Sequence, residues 1–168
     1  MLVQLALVFS LLVACAPSDR LQRRYSHETQ VWHTVSRDAE VYRDGVDHVM
    51  ARTIILEIDG EARYYLSLSF LRGGPNGPKI LTIQQDGQPM PYVRHDRLNA
   101  FCIDHCHKSE VGQILLTKDA FRKAANDGMT LQADGLRRNY PLHIPARLFY
   151  RTLLAANLLD PTRAASPK

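Results

Sequence analysis

The side chains with most chemical promise stand together in Phe101-Cys102-Ile103-Asp104-His105-Cys106-His107. Two thiols four positions apart, with imidazoles between and beside them, fit more than one chemistry. The first is a structural disulfide joining Cys102 to Cys106. Closing so short a loop stabilises a fold by about 2 kcal/mol in the chain-entropy model. The second is a metal site in which Cys102 and Cys106 are joined by His105, His107 or His95, a thiolate and imidazole set that suits zinc or copper. Its cysteine spacing is looser than the two-residue CxxC, and the chain has no second pair to complete a four-sulfur site.

Two further readings rest on likeness to known motifs. Cys-x-x-x-Cys-His is a widened form of the c-type haem attachment motif, which would need an axial partner and a haem-sized pocket. Phe-Cys-x-x-x-Cys also resembles the motif of copper-delivering thioredoxin-like proteins, although that family carries it between an early strand and a helix. The disulfide is the reading carried forward, with no cofactor expected and zinc or copper as the alternative. No catalytic residue stands out. The chain has no Gly-x-Ser-x-Gly and no His-Glu-x-x-His, and His27, His33, His48 and His143 stand alone in sequence.

The elements around this segment read mostly as strands. Period-two alternation begins at Thr29, with Trp32 and Thr34 opposing Val31, His33 and Val35. A short strand is predicted over 39–42. Residues 52–58 and 62–70 flank Asp59-Gly60, the strongest hairpin signal in the chain. In the second run Tyr64, Leu66, Leu68 and Phe70 share one face. Residues 73–79 are rich in Gly and Pro and end in Lys79. A phosphate-binding loop needs a Ser or Thr next and then a helix, whereas Ile80 opens another apolar strand, so a hairpin connection is expected. Asp86-Gly87 predicts a further hairpin between residues 80–84 and 90–93. Residues 111–116 make one more strand.

Thr117 caps a predicted short helix over 118–126, with Phe121, Ala124 and Ala125 on one side and Gly128 as its stop. Strands over 129–133 and 140–144 flank Asp134-Gly135. Pro145 then opens a closing helix whose apolar stripe is Leu148, Phe149, Thr152, Leu153, Ala156 and Leu159, with Pro161 as its end. The expected fold is mainly β with a C-terminal helix (α+β): an antiparallel, sandwich-like domain of about eight strands, one short helix and one closing helix.

The start of the chain says how that domain is held. Leu2 to Ala14 is an apolar run broken only by Gln4 and Ser10, too short for a comfortable permanent span and of signal-peptide length. It closes in Leu12-Val13-Ala14-Cys15, which resembles a bacterial lipobox. That resemblance implies that Cys15 is lipidated and becomes the first residue of the mature chain. The run departs from the usual pattern in having no Lys or Arg before Cys15. Removing Cys15 from the count leaves Cys102 and Cys106 as an even pair in an oxidising compartment. Ala16 is not the Asp that retains lipoproteins at the inner membrane, so the resemblance implies the periplasmic face of the outer membrane.

The organisation expected is therefore a signal over 1–14, a lipidated tether over 15–28, one β-rich periplasmic domain over 29–160 and a disordered tail over 161–168. The net charge of +4 is scattered, with only Arg20, Arg23 and Arg24 clustered, near the lipid site. It lacks the basic face that nucleic-acid binding needs. The succession Cys102, Cys106, Glu110, apolar strand, short helix, strand, Asp-Gly turn and closing helix resembles a group of small, uncharacterised proteobacterial envelope proteins. That resemblance implies a fold and no reaction. The expectation is a lipid-anchored envelope protein, attached to the membrane through Cys15, with a non-catalytic binding or structural role and an envelope protein as partner. The alternatives are a metal-binding or redox protein using the Cys102–Cys106 segment, and a periplasmic inhibitor or immunity protein.

Overall fold

Alternation in the middle of the chain builds its longest strands. The computed structural model describes residues 21–73, 77–96, 99–102 and 106–159, with the backbone alone at 22, 73, 96, 99–102 and 106–108. Five strands come first: β1 (Gln22–Ser26), β2 (Val31–Val35), β3 (Ala39–Asp44), β4 (Asp47–Ile58) and β5 (Glu61–Gly73). Then follow β6 (Ile80–Gln85), β7 (Gln88–Pro89), β8 (Tyr92–Asp96), β9 (Asn99–Cys102) and β10 (Cys106–Leu116). Helix α1 (Lys118–Asp127), strands β11 (Met129–Gly135) and β12 (Asn139–Ile144), and helix α2 (Ala146–Ala155) complete the described chain. The fold is mainly β with two helices and antiparallel pairing throughout, a sandwich-like α+β arrangement.

The larger sheet runs β1-β2-β4-β5-β10-β8, and the smaller β12-β11-β6-β7. β4 is long enough to hold two neighbours on one side, β3 along residues 47–51 and β2 along 54–57. β10 does the same for β9 and β8. The β4–β5 hairpin turns at Asp59-Gly60, both with positive φ (50° and 81°), the geometry that matches the right-handed twist of the flanking strands.

Tyr64, Leu66, Leu68 and Phe70 all face the core and are buried. Two chains of rings fill it. Tyr42, Tyr140, Phe70 and Tyr92 follow one another at centroid distances of 5.4, 5.5 and 6.4 Å between the two sheets. Tyr64, Phe121 and Phe149 continue at 5.2 and 5.1 Å where the helices cover the larger sheet. All but the tilted Tyr64–Phe121 pair meet edge-to-face, and aromatic contacts of that kind add about 0.5–1.5 kcal/mol each beyond the area they bury.

Both helices follow from local signals. Thr117 Oγ1 accepts the Ala120 N–H at 3.1 Å, and Gly128, with φ 78°, ends α1. In α2 the stripe Leu148, Phe149, Thr152 and Leu153 is buried. The helix ends at Asn157, with φ 56°, where the N–H groups of Asn157 and Leu158 donate to Leu154 and Leu153 O at 3.1 and 2.9 Å. Asparagine tolerates that left-handed position, so the helix stops before the expected Pro161, which lies outside the described residues.

Four expectations need correction. Residues 22–26, read as part of the tether, form β1 on the edge of the larger sheet. The Gly/Pro loop over 73–79 is not a hairpin connection: it carries the chain from the larger sheet to the smaller. The hairpin around Asp86-Gly87 holds only β6 and β7. Pro89 and Pro91 have no N–H to donate, so the ladder stops and residues 92–96 return to the larger sheet as β8. The last hairpin turns over 136–137, two residues beyond Asp134-Gly135, with the Gly135 N–H donating to Arg138 O at 2.8 Å.

Candidate functional site

The two cysteines stand on neighbouring antiparallel strands. Cys102 at the end of β9 stands directly opposite Cys106 at the start of β10 in the strand register. Directly opposed residues in an antiparallel pair have Cα atoms about 4.5–5.5 Å apart, inside the span a disulfide bridges. Ile103, Asp104 and His105 lie outside the described residues, as do the side chains of Cys102, Cys106 and His107. His95 is described, and its side chain is exposed on β8. Among the described residues no group of three His, Cys, Asp or Glu side chains converges. Cys15 also lies outside them.

Four residues along β10 from Cys106 is Glu110, a carboxylate with only 1% of its surface exposed. Arg94 of β8 pairs with it, Nε to Oε1 at 2.9 Å. The Ile80 N–H donates to both of its oxygens at 3.2 and 3.3 Å. Arg94 Nη2 donates in turn to the Ile80 carbonyl at 2.6 Å. Both backbone groups of the residue that opens β6 are therefore held by a pair on the larger sheet. Tyr92 closes the cluster, its hydroxyl 3.5 Å from Glu110 Oε1 and its ring packed over Gly112. Burial, and then repulsion from the Glu110 carboxylate, push the Tyr92 phenol well above its ordinary pKa.

A second buried carboxylate ties the sheets at another point. Asp47 is 5% exposed and accepts from Arg138 Nη1 at 2.8 Å, with Arg72 Nε at 3.9 Å. Arg138 also pairs with Asp44. Neither cluster was legible as such in sequence. Glu110 sits at inward parity with Gly112 and Ile114, which was the one available signal, but its partners come from distant strands.

The helices lock on through hydroxyls. Thr53 of β4 and Thr152 of α2, both fully buried, stand 2.6 Å apart. One hydroxyl donates to the other, and the proton that remains goes to the Leu148 carbonyl, which lies 3.1 Å from Thr53 Oγ1 and 2.8 Å from Thr152 Oγ1.

What is left for a partner is the outward face of the larger sheet. The register aligns Val35, Ile54, Tyr65 and Leu115 in one row across β2, β4, β5 and β10. Leu115 is 54% exposed, and the nearby Val93 is 59% exposed. Leu115 also lines an open groove of about 670 Å³ at the end of the sheet, beside Arg63, Tyr64, Lys118 and Leu158. His33 and Leu56 extend the same outward face, while His27 and His143 stand exposed elsewhere. His48 Nδ1 lies 3.7 Å from Glu40.

Comparison with protein-family models, with curated proteins and with solved structures finds no match for this chain.

Proposed function

We propose that this chain is a lipid-anchored envelope protein, held through Cys15 at the periplasmic face of the outer membrane, whose β domain binds or braces another envelope protein without catalysis. The observation that carries the binding role is the row Val35, Ile54, Tyr65 and Leu115. It is an apolar row on the face opposite the buried Thr53, Ile55, Tyr64 and Leu66, half-buried at Val35, Ile54 and Tyr65 and exposed at Leu115. A strip of this kind, rimmed by Arg52, Arg63 and Gln113, has the apolar centre and polar edge of a protein contact. The lipobox supplies the anchor. Cys15→Ala should release the protein from the membrane fraction, and Leu115→Glu should leave it anchored and folded while weakening its association with its partner. An unlipidated wild-type protein would overturn the anchor; a Leu115→Glu protein that co-purifies with the same partner undiminished would overturn the binding face.

Within that domain the two remaining thiols form a disulfide. The opposed register of Cys102 and Cys106 supports this over a metal site. Two thiols give up two protons and two electrons to a periplasmic protein disulfide, which is reduced to a dithiol as the new S–S bond forms.

A further inference from the structure

The β1–β2 hairpin carries an aromatic group that the core does not use. Tyr25 and Trp32 are opposite each other in the register, 39% and 41% exposed, with ring centroids 5.1 Å apart. His27 stacks edge-on against Tyr25 at 5.0 Å. The Arg23 guanidinium lies over the Trp32 ring, 4.7 Å from its centroid, and also pairs with Glu57 at 3.2 Å. Arg23 therefore fixes the indole in place, and Glu57 is neutralised by the same side chain. Arg24 stays exposed on the opposite face of the strand.

We propose that this hairpin lies against the membrane in which the chain is anchored, with Trp32 and Tyr25 at the headgroup level. The inference rests on the lipidation of Cys15. Its first argument is reach. Five residues separate Cys15 from Leu21, where the described chain begins, and the six steps between them, at most ~3.6 Å each, span about 20 Å. A tether that short keeps β1, the first strand and the edge of its sheet, next to the bilayer. The second argument is chemistry. Trp and Tyr are the side chains that favour the membrane interface, since their rings are apolar while the indole N–H and phenol O–H stay hydrated.

Trp32 is the single tryptophan of the chain, so its fluorescence reads this contact alone. The mature lipidated protein is reconstituted into vesicles of phosphatidylethanolamine and phosphatidylglycerol, with and without lipids brominated high on the acyl chain. The expected result is blue-shifted emission and at least a twofold loss of intensity with the brominated lipid. Tyr25→Glu should abolish most of that quenching with an unchanged melting temperature, and Arg151→Glu, on the exposed face of α2, should leave it intact. Flotation of the same samples separates the two ideas. A protein that floats with the vesicles while Trp32 stays unquenched overturns the apposition and leaves the anchor standing. A protein that neither floats nor carries lipid on Cys15 overturns both. An unquenched Trp32 that is shielded from acrylamide only in whole envelopes assigns the patch to a protein partner instead, and also overturns the proposal.

Discussion

Glu110 and Arg94 pair at 2.9 Å and between them hold both backbone polar groups of Ile80, so one ion pair fixes where the smaller sheet begins against the larger. Glu110 is fully desolvated while Arg94 reaches solvent. Removing the carboxylate strands the Ile80 N–H in a dry site, whereas the guanidinium can recover water. Glu110→Ala should therefore cost about 3 kcal/mol, and Glu110→Gln, which keeps an acceptor for Ile80, about half as much. Chemical denaturation measures both. Equal losses would mean that the charge, and not the backbone contact, carries the stability.

Tyr92, Tyr64 and Tyr140 all have phenols pushed above their ordinary pKa of 10.0, in each case chiefly by burial. The folded state thus keeps these protons at a pH where the unfolded chain loses them. Native protein then binds more protons than unfolded protein, and stability falls as pH rises above about 10, having been flat in these groups below it. Denaturation curves from about pH 9 to about pH 11 should show that slope, and Tyr92→Phe should flatten it. A slope unchanged in Tyr92→Phe would remove Tyr92 from the account.

Gly112 has room for no side chain. A Cβ placed there would lie 2.4 Å from the Tyr92 ring, which would have to leave Glu110. Gly112→Ala should destabilise by about 2 kcal/mol, and combining it with Tyr92→Leu should recover part of the loss. Simple additivity of the two changes would contradict the close packing.

The local parts of this fold were legible in sequence because local physics decides them. Asp59-Gly60, the Thr117 cap, Gly128 and the stripe of α2 each depend on residues within a few positions. Asp44-Gly45 carries the same turn signal, and Gly45 has a positive φ of 60° in the β3–β4 turn, so that hairpin was also open to reading. β1 was hidden for a different reason. Gln22-Arg23-Arg24-Tyr25-Ser26 has the charged character that protects edge strands, and the same composition describes a tether. The division into two sheets could not be read. It depends on the pairing of β10 with β5 and of β11 with β6, which are far apart in the chain. The ion pairs that fasten the sheets, at Glu110 and Asp47, depend on the same pairings. The cysteine segment falls between these cases: its spacing allowed a bridge, and only the register places Cys102 opposite Cys106.

The hydroxyl lock between Thr53 and Thr152 predicts coupling. Thr152→Val alone leaves Thr53 buried beside a methyl group and should cost about 1–2 kcal/mol. Converting both to valine should cost less than the sum of the single changes, because the one hydrogen bond between the two hydroxyls is lost in each single variant and is lost only once in the double. A double variant as unstable as that sum would show that the two residues act separately.

The proposed Cys102–Cys106 bridge predicts that the purified protein, unfolded without reductant, shows no reactive thiol, and two after reduction. Cys102→Ser should lower the melting temperature by several degrees, in line with a loss of about 2 kcal/mol. Thiols that react without reductant, together with zinc or copper bound one-to-one, would establish the metal site in place of the bridge.

The anchor is the central claim, and the mass of the mature N-terminal peptide tests it most directly. The account predicts a chain that begins at Cys15 and is heavier than its sequence by a diacylglyceryl group and an acyl chain. A peptide that begins at Met1, or a Cys15 of unmodified mass, would contradict it.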